Sequence, residues 1–184
     1  IAGIFAPVIA PFGESEIVSS AFALADDKML LGADQLGRDI FSRIIFGARN
    51  SVGLALLATV LAFVVGAIGG LYAATQGGWL DTLLGRVADV IMSVPSLIFA
   101  LLMLSIFGTE LWVIVIVVAI IYSPRVFRLS RAVAGNVVVM DYIEAAKLRG
   151  EGTWYLIRRE ILPNSTAPLI AEFGLEFCFV FLLI

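Results

Sequence analysis

The chain has 184 residues, of which 61% are hydrophobic and 15% are charged, and its mean hydropathy is +1.05. Soluble domains carry less apolar material and have charged residues at about a quarter of the chain, so the composition excludes a soluble domain. The formal net charge of -3 carries little information, because the placement of charges matters more than their sum. We predict an all-α polytopic membrane protein.

Several classes of chemistry are excluded by residue type. The chain has no histidine, and its one cysteine, Cys178, sits in an apolar run, so histidine-based catalysis, thiolate metal clusters and intrachain disulfides are ruled out. Neither Lys28 nor Lys147 follows a glycine-rich phosphate-binding loop. We therefore predict no metal and no cofactor in this chain. If it takes part in ATP-driven work, another subunit must bind the nucleotide.

Both ends of the sequence are apolar. The opening stretch, IAGIFAPVIAP, is too short to cross a hydrocarbon core of about 30 Å, and it lacks the basic region of a signal peptide. The final residues, FCFVFLLI, stop within an apolar run. We expect residues 1–11 to be the end of a first span and residues 165–184 to be the start of a further one, so that the chain is a fragment truncated at both ends.

Between these ends, three apolar stretches are long enough to cross a membrane. They are residues 52–74, 87–107 and 111–131. In the first, Gly66 and Gly70 have the GxxxG spacing, which permits close helix approach but is also common in membrane helices by chance. The second contains Asp89 and Pro95, and we interpret Pro95 as a kink.

Basic residues predict the orientation. Most of them fall on one side of the predicted spans: Arg86, Arg125, Arg128, Arg131, Lys147, Arg149, Arg158 and Arg159. The excess of basic residues places residues 141–164 in the cytoplasm. Residues 12–50, where basic residues are mixed with acidic ones, are then an outer loop.

The end of this outer loop has helical periodicity. Its apolar face comprises Leu36, Ile40, Phe41, Ile44, Ile45 and Ala48. Its polar face comprises Gln35, Arg38, Asp39, Ser42 and Arg49. On physical grounds an amphipathic helix on the membrane surface is favoured over a specific binding role.

The stretch Asp141–Asn164 differs from the spans around it in carrying charge, glycines and a proline. It predicts two short helices separated at Gly150–Gly152, with Thr153 capping the second. The small side chains of Ala145 and Ala146 would let another protein approach closely. The residues alone fit two interpretations: a docking element, or a helical hairpin on the inner leaflet with its arginines near anionic lipid.

The run EAAKLRGEGTWYLIRREILP resembles the EAA loop of binding-protein-dependent ABC importer permeases. The positions that match the pattern are Glu144, Ala145, Ala146, Gly150 and Pro163. The run departs from the pattern at Glu160, which takes the place of an isoleucine, with Ile161 directly after it.

Two more runs are similar to the same family. LGADQLGRDIFSR resembles the LGTDxLGRD signature of the dipeptide, oligopeptide and nickel permeases, in the subunit usually labelled C, with Ala33 in place of threonine. DTLLGRVADVIMSVPSLIFALL resembles the third span of that family, with Asp89 and Pro95 in place. The three runs follow the order of the family, and the stretch from the first to the last of them, residues 31–163, covers most of the chain.

The resemblance implies a type I ABC importer (MetI-like) transmembrane domain of about six helices in a bacterial inner membrane. It implies a heterodimer with a paralogous permease subunit, two ABC ATPases that hydrolyse ATP, and an extracytoplasmic substrate-binding protein. Because ATP is hydrolysed in those separate subunits, the resemblance implies that this chain is not itself an enzyme and has no catalytic residue. The expected cargo is di- or oligopeptides, and nickel, glutathione or an oligosaccharide are alternatives. An ATP-independent channel or secondary transporter is a distant alternative that would not explain the EAA spacing. Membrane lipid is an expected partner, and nucleic acid is not.

The resemblance also assigns roles to residues. The expected ATPase-docking residues are Glu144, Ala145, Ala146, Gly150 and Pro163. Three acidic residues in or near apolar spans are candidates for a substrate pathway, because ionisable groups there are costly: Asp89, Glu172 and Glu176. The alternative is that Asp89 and Glu172 lie near the cytoplasmic ends and pair with arginines such as Arg86 or Arg125.

Overall fold

The computed structural model describes residues 6–184. The chain forms two compact units, Ile1–Leu54 and Ala55–Ile184. Within the described residues the regular structure is helical, and the only strand-like pairings are two isolated antiparallel bridges. The predicted all-α class is confirmed.

The first unit contains a short helix and a long irregular segment. Helix α1 covers Ala6–Ile9, and the next helix begins at Ile40. Of the span end expected at residues 1–11, residues 1–5 lie outside the described residues.

Asp34 organises the irregular segment. Its carboxylate accepts hydrogen bonds from the backbone N–H groups of Leu36 at 2.8 Å and Arg38 at 3.0 Å, and it pairs with the guanidinium groups of Arg38 at 2.9 Å and Arg43 at 2.5 Å. Desolvation raises the pKa of Asp34, but the hydrogen bonds from Arg38 and Leu36 and the charge of Arg38 outweigh it and lower this pKa to about 2. The loop is therefore built around an ionised carboxylate.

Asp39 caps helix α2, which covers Ile40–Gln76. Its carboxylate accepts hydrogen bonds from the backbone N–H of Ser42 at 2.8 Å and from the Ser42 hydroxyl at 2.6 Å. Both side chains are buried, while Ile44 is exposed. The predicted faces were wrong at these positions, because capping buries polar groups that periodicity assigns to solvent.

Helix α2 is longer than expected. Its 37 residues extend about 56 Å at 1.5 Å per residue, well beyond a hydrocarbon core of about 30 Å. Residues 40–50, predicted as a separate surface helix, and the predicted span 52–74 therefore belong to one continuous helix. No glycine or proline stands at the expected boundary, where Asn50 and Ser51 are compatible with a helix.

The second unit is a group of helices around α5. Its elements after α2 are α3 (Gly78–Ser93), α4 (Ser96–Phe107), α5 (Leu111–Val138), α6 (Asp141–Leu148), α7 (Thr153–Tyr155), a π-helix (Leu156–Ile161) and α8 (Leu162–Leu183). Helix α5 packs against α3, α4 and α8. By length and composition α2, α5 and the stretch Thr153–Leu183 can each cross a membrane, and α3 with α4 gives a fourth span if the bent pair is one.

The stretch predicted as a span at residues 87–107 is bent. Helix α3 ends at Ser93, α4 begins at Ser96, and the two axes differ by 88°. Pro95 directly precedes α4, where its missing N–H costs no helical hydrogen bond. The change of direction is therefore much larger than a kink within one helix.

Two glycines bring α2 and α5 into close contact. A Cβ built on Gly66 would lie 2.7 Å from the Cβ of Val126 and 2.9 Å from the backbone nitrogen of Phe127. A Cβ on Gly70 would lie 2.8 Å from both the Cβ of Ser130 and the backbone nitrogen of Arg131. Real Cβ atoms do not approach that closely, so the GxxxG spacing marks a true helix contact here.

The last three elements form one helical stretch from Thr153 to Leu183. The helix runs through Pro163 without a break, and the π-helical turn at Leu156–Ile161 stands just before that proline. Pro163 cannot donate to the carbonyl four residues earlier, and its ring would crowd that carbonyl. A wider turn accommodates such a disturbance and allows the helix to continue.

Thr153 does not cap this stretch. It is the first residue of α7, after Gly152, and no side chain caps that end. Its hydroxyl instead accepts a hydrogen bond from the side-chain amide of Gln76 at 2.7 Å. The predicted cap was wrong, and Thr153 joins its helix to the end of α2.

Candidate functional site

Helix α6 contains most of the residues that the EAA resemblance assigns to docking. It ends in a Schellman motif, in which the Glu151 N–H donates to the Ala146 carbonyl at 3.2 Å and the Gly150 N–H donates to the Lys147 carbonyl at 2.9 Å. Gly150 has φ +83°, a conformation that side chains disfavour. The predicted separation of two helices at Gly150–Gly152 is therefore observed, and Gly150 has a specific structural role there.

The two alanines of the motif lie on different faces of α6. Ala146 and Ile143 are fully buried, whereas Ala145 and Glu144 are exposed. Ala146 therefore packs within its own chain and presents no surface to a partner, which corrects its assignment as a contact residue. Sequence spacing identified the small residues but not which of them faces outward.

The buried face of α6 rests on a hydrophobic cluster drawn from several helices. The cluster combines residues of α2, α5, α6 and the π-helical turn: Leu71, Ala134, Val137, Ile143, Ala146, Leu156, Ile157 and Ile161. Helix α6 is thus packed directly against the ends of α2 and α5. The hydrogen bond between Gln76 and Thr153 also joins the end of α2 to the start of α7.

Pro163 and Trp154 lie outside this cluster. Pro163 is exposed in the first turn of α8, beyond the π-helical turn. Trp154, which the sequence places on one face with Ile157 and Ile161, is 56% exposed, while those two isoleucines are buried. The exposed face of α6 is therefore made by Glu144, Ala145 and their neighbours, without Pro163.

Helix α5 carries a row of paired arginines that the sequence did not reveal. Arg131 makes two hydrogen bonds to the carboxylate of Asp81, and Arg128 pairs with Asp89. Both carboxylates are on α3, so the two pairs join α3 to α5. The alternative for Asp89 was pairing with an arginine such as Arg86 or Arg125, and its partner is Arg128.

A third pair joins α5 to α8. Arg125 lies 3.3 Å from the carboxylate of Glu176, which is fully buried, and one oxygen of that carboxylate has no partner among the described residues. The Arg125 guanidinium also lies 5.0 Å from the ring centroid of Phe179. Glu172 is half-buried and makes no ion pair within residues 6–184. The two glutamates thus have different surroundings although they are one turn apart.

Arg125 also reaches a cavity of about 220 Å³ at the bend between α3 and α4. The cavity is lined by Ile91, Met92, Val94, Pro95, Ser96, Phe99, Ile121, Tyr122 and Arg125. Asp89, Glu172 and Glu176 do not line it. Within residues 6–184, no group of three or more acidic, cysteine or histidine side chains could hold a metal ion.

Comparison with known proteins agrees with these features. Residues 66–184 match the model of the family described as binding-protein-dependent transport system inner membrane component. The matched region includes α6, the paired arginines and the bend at Pro95. The chain belongs to this family. It is a multi-pass protein of the bacterial inner membrane, since the family match agrees with the long apolar helices.

Curated members of the family are similar along most of the chain. The dipeptide transport system permease protein DppC of Haemophilus influenzae is 36% identical over 92% of this chain and 60% of its own length. The di/tripeptide transport system permease protein DppC of Pseudomonas aeruginosa is 36% identical over 95% and 60%. The glutathione transport system permease protein GsiD of Pectobacterium atrosepticum is 35% identical over 79% and 48%. The chain thus spans 60% or less of the length of these relatives.

Proposed function

We propose that the chain is a permease subunit of an ABC importer that moves di- or oligopeptides delivered by an extracytoplasmic binding protein. The observation that supports it best is the two-sided helix α6, whose outer face is free while its inner face packs on α2 and α5. The family match and the names of the two DppC relatives support the cargo class. ATP would be hydrolysed in separate partner subunits, and a paralogous permease would complete the pathway.

In this proposal the exposed Glu144 and Ala145 contact an ATPase. Ala145 permits close approach because its side chain is small, and Glu144 fixes the register by charge. Gly150 fixes the direction in which the chain leaves the docking helix. Pro163 lies in the first turn of α8. We propose that its role is in the geometry of that turn and that it does not contact the ATPase.

Movement of α6 would be transmitted by packing. Ile143 and Ala146 are fully buried against Leu71 of α2 and Ala134 of α5, so α6 cannot shift without moving those helix ends. Closure of the ATPases would therefore tilt α2 and α5, switching the pathway between outward-open and inward-open states. No covalent chemistry in this chain is needed for that cycle.

For the pathway itself, we propose Glu172 as the carboxylate that meets cargo, since it is half-buried and free of ion pairs within residues 6–184. Glu176 and Asp89 are engaged by Arg125 and Arg128, and we propose that they set helix positions. Glutathione is a second candidate cargo, because the relative GsiD is named for its transport. No feature of the chain favours nickel or an oligosaccharide.

The docking step is tested by co-purification of the full-length chain with the ATPases encoded by the neighbouring genes. We expect Glu144→Arg and Ala145→Phe to abolish ATPase association while membrane insertion stays intact. Glu110→Arg is the matched control, because it reverses an exposed charge at the far end of α5. Normal association and coupled transport in both docking variants would overturn the proposal.

A further inference from the structure

An open cavity of about 430 Å³ lies on the first turns of the Thr153–Leu183 stretch. Its lining consists of Trp154, Tyr155, Arg158 and Arg159, all of them exposed. The aromatic pair and the arginine pair are three to five residues apart, which is about one turn where α geometry passes into π geometry. The π-helical turn at Leu156–Ile161 thus gathers two rings and two guanidinium groups on one side of the helix.

Within residues 6–184, the two arginines differ from those on α5 in having no acidic partner. Arg125, Arg128 and Arg131 each pair with a carboxylate. Among residues 6–184 no carboxylate forms an ion pair with Arg158 or Arg159. Their guanidinium donors are therefore free to bind an anion, and the planar guanidinium matches the geometry of a phosphate.

The position of the cavity relative to the membrane indicates which anion would be available to bind there. Arg158 and Arg159 lie in the second turn of the stretch Thr153–Leu183, which is long and apolar enough to cross a membrane. Basic side chains near the start of a span reach the membrane–water interface, so we place these two arginines at that level. Tryptophan and tyrosine side chains are enriched at that level, and headgroup phosphates lie there too.

We propose that Arg158 and Arg159 bind the phosphate of an anionic phospholipid headgroup, with Trp154 and Tyr155 flanking the lipid beside it. The site requires only that the chain lie in a membrane, so it is independent of the cargo and of ATPase docking. The bound lipid would stabilise the π-helical turn, whose buried residues Leu156 and Ile157 belong to the same hydrophobic cluster as the buried face of α6.

The test uses the full-length chain, purified in detergent with its partner chains and examined by native mass spectrometry during titration with dioleoyl phosphatidylglycerol. Each arginine near a charged headgroup contributes about 1 kcal/mol, or about fivefold in affinity. We therefore expect Arg158→Gln/Arg159→Gln to weaken binding of this lipid about thirtyfold. The control Arg49→Gln/Arg86→Gln removes the same charge from exposed positions outside the cavity and should bind like the wild type.

Further arms separate the alternatives. Arg158→Lys/Arg159→Lys should retain much of the binding, dioleoyl phosphatidylcholine should bind weakly to every variant, and millimolar inorganic phosphate should not displace the anionic lipid. Displacement by inorganic phosphate would make this a site for a soluble anion and overturn the lipid assignment. Equal lipid binding by the Gln/Gln variant and its control would overturn it as well. So would loss of ATPase association by Arg158→Gln/Arg159→Gln in lipid-depleted detergent in which the wild type still associates, since the arginines would then contact the ATPase.

Discussion

Helix α5 meets its neighbours in two different ways. Toward α2, the glycines at 66 and 70 bring the backbones together at Val126, Phe127 and Ser130. Toward α3 and α8, long arginine side chains reach carboxylates on the neighbouring helices. The first contact depends on shape at short range, while the second depends on charge carried by flexible side chains.

The difference indicates which contacts can adjust when helices move. A backbone contact at glycine has no side chain to rearrange, so α2 and the adjoining part of α5 must move together. An arginine can keep its partner over a range of helix separations, because its stem changes rotamer. We therefore expect α2 and α5 to act as one body, and the α3 and α8 contacts to tolerate displacement.

The largest effect is expected where charge is buried. Arg125→Gln leaves the fully buried Glu176 carboxylate without its ionic partner, which should lower the free energy of unfolding by about 3 kcal/mol. Arg128→Gln breaks a pair whose two side chains are each 54% exposed, so its loss should stay within about 1 kcal/mol. Chemical unfolding of the purified permease in detergent measures both.

The double variant Arg125→Gln/Glu176→Gln sharpens this prediction. It removes the buried charge together with its partner, so it should recover much of the stability lost in Arg125→Gln. Equal losses for Arg125→Gln and Arg128→Gln would show that burial of the carboxylate does not govern the cost.

The glycine contact should be the next most sensitive. Gly66→Ala and Gly70→Ala each place a Cβ against backbone of α5, and we expect each to lower stability by about 1–3 kcal/mol. Gly69→Ala is the control in the same helix, because its Cβ would lie 3.4 Å from the Phe127 ring, an ordinary contact. In thermal unfolding in detergent, the midpoint temperature of Gly69→Ala should lie well above those of Gly66→Ala and Gly70→Ala. A reversed order of these temperatures would contradict the close approach of α2 and α5.

The two alanines of α6 extend the comparison to a contact made of small side chains. Ala146→Val adds volume to a fully buried position and should lower stability by about 1–2 kcal/mol. Ala145→Val changes an exposed position, so stability should stay within about 0.5 kcal/mol, while ATPase association weakens. Unfolding and co-purification of the same samples would separate the packing role of Ala146 from the docking role of Ala145. Equal unfolding curves for the two variants would contradict the assignment of Ala146 to the buried face and Ala145 to the exposed face.

The smallest effect concerns Asp34, whose partly buried carboxylate pairs with Arg38 and Arg43 outside the spans. Its pKa of about 2 lies below the ordinary value of 3.8, so its stabilising contribution is present above the ordinary value and is lost as the pH falls through about 2. Amide exchange at Leu36 and Arg38, corrected for intrinsic rates, should accelerate over that interval. Asp34→Asn should remove this pH dependence, and an unchanged profile in that variant would assign it to another group.

Local signals in the sequence predicted part of this structure correctly. Glycine at position 150 predicted the helix end, since few other residues adopt a positive φ. The spacing of Gly66 and Gly70 permitted a close contact, which the structure shows, and the apolar runs at residues 52–74 and 111–131 fall within helices long enough to cross a membrane. Each of these features depends on a few neighbouring residues, which is why sequence alone revealed them.

Other features depend on how helices are rotated about their axes. The predicted span 111–131 ends in a charged segment that contains Arg125, Arg128 and Arg131 and follows Pro124. Helix α5 nevertheless continues through Pro124 to Val138. Their spacing of three residues within a helix was the available signal for a common role. Which carboxylate each one meets, and which alanine of α6 faces inward, is decided by packing between helices.

The π-helical turn at Leu156–Ile161 has a consequence for alterations of chain length. A π turn holds one more residue than an α turn, so it behaves like a single-residue insertion whose effect on phase has been absorbed locally. Deleting one residue there would restore α geometry and leave the two flanking segments in their present relative orientation. Deleting one residue from the α-helical part of the stretch would instead rotate everything beyond it by about 100°. The helix would survive either deletion, but only the first would let Thr153 and Glu176 both keep facing their present partners.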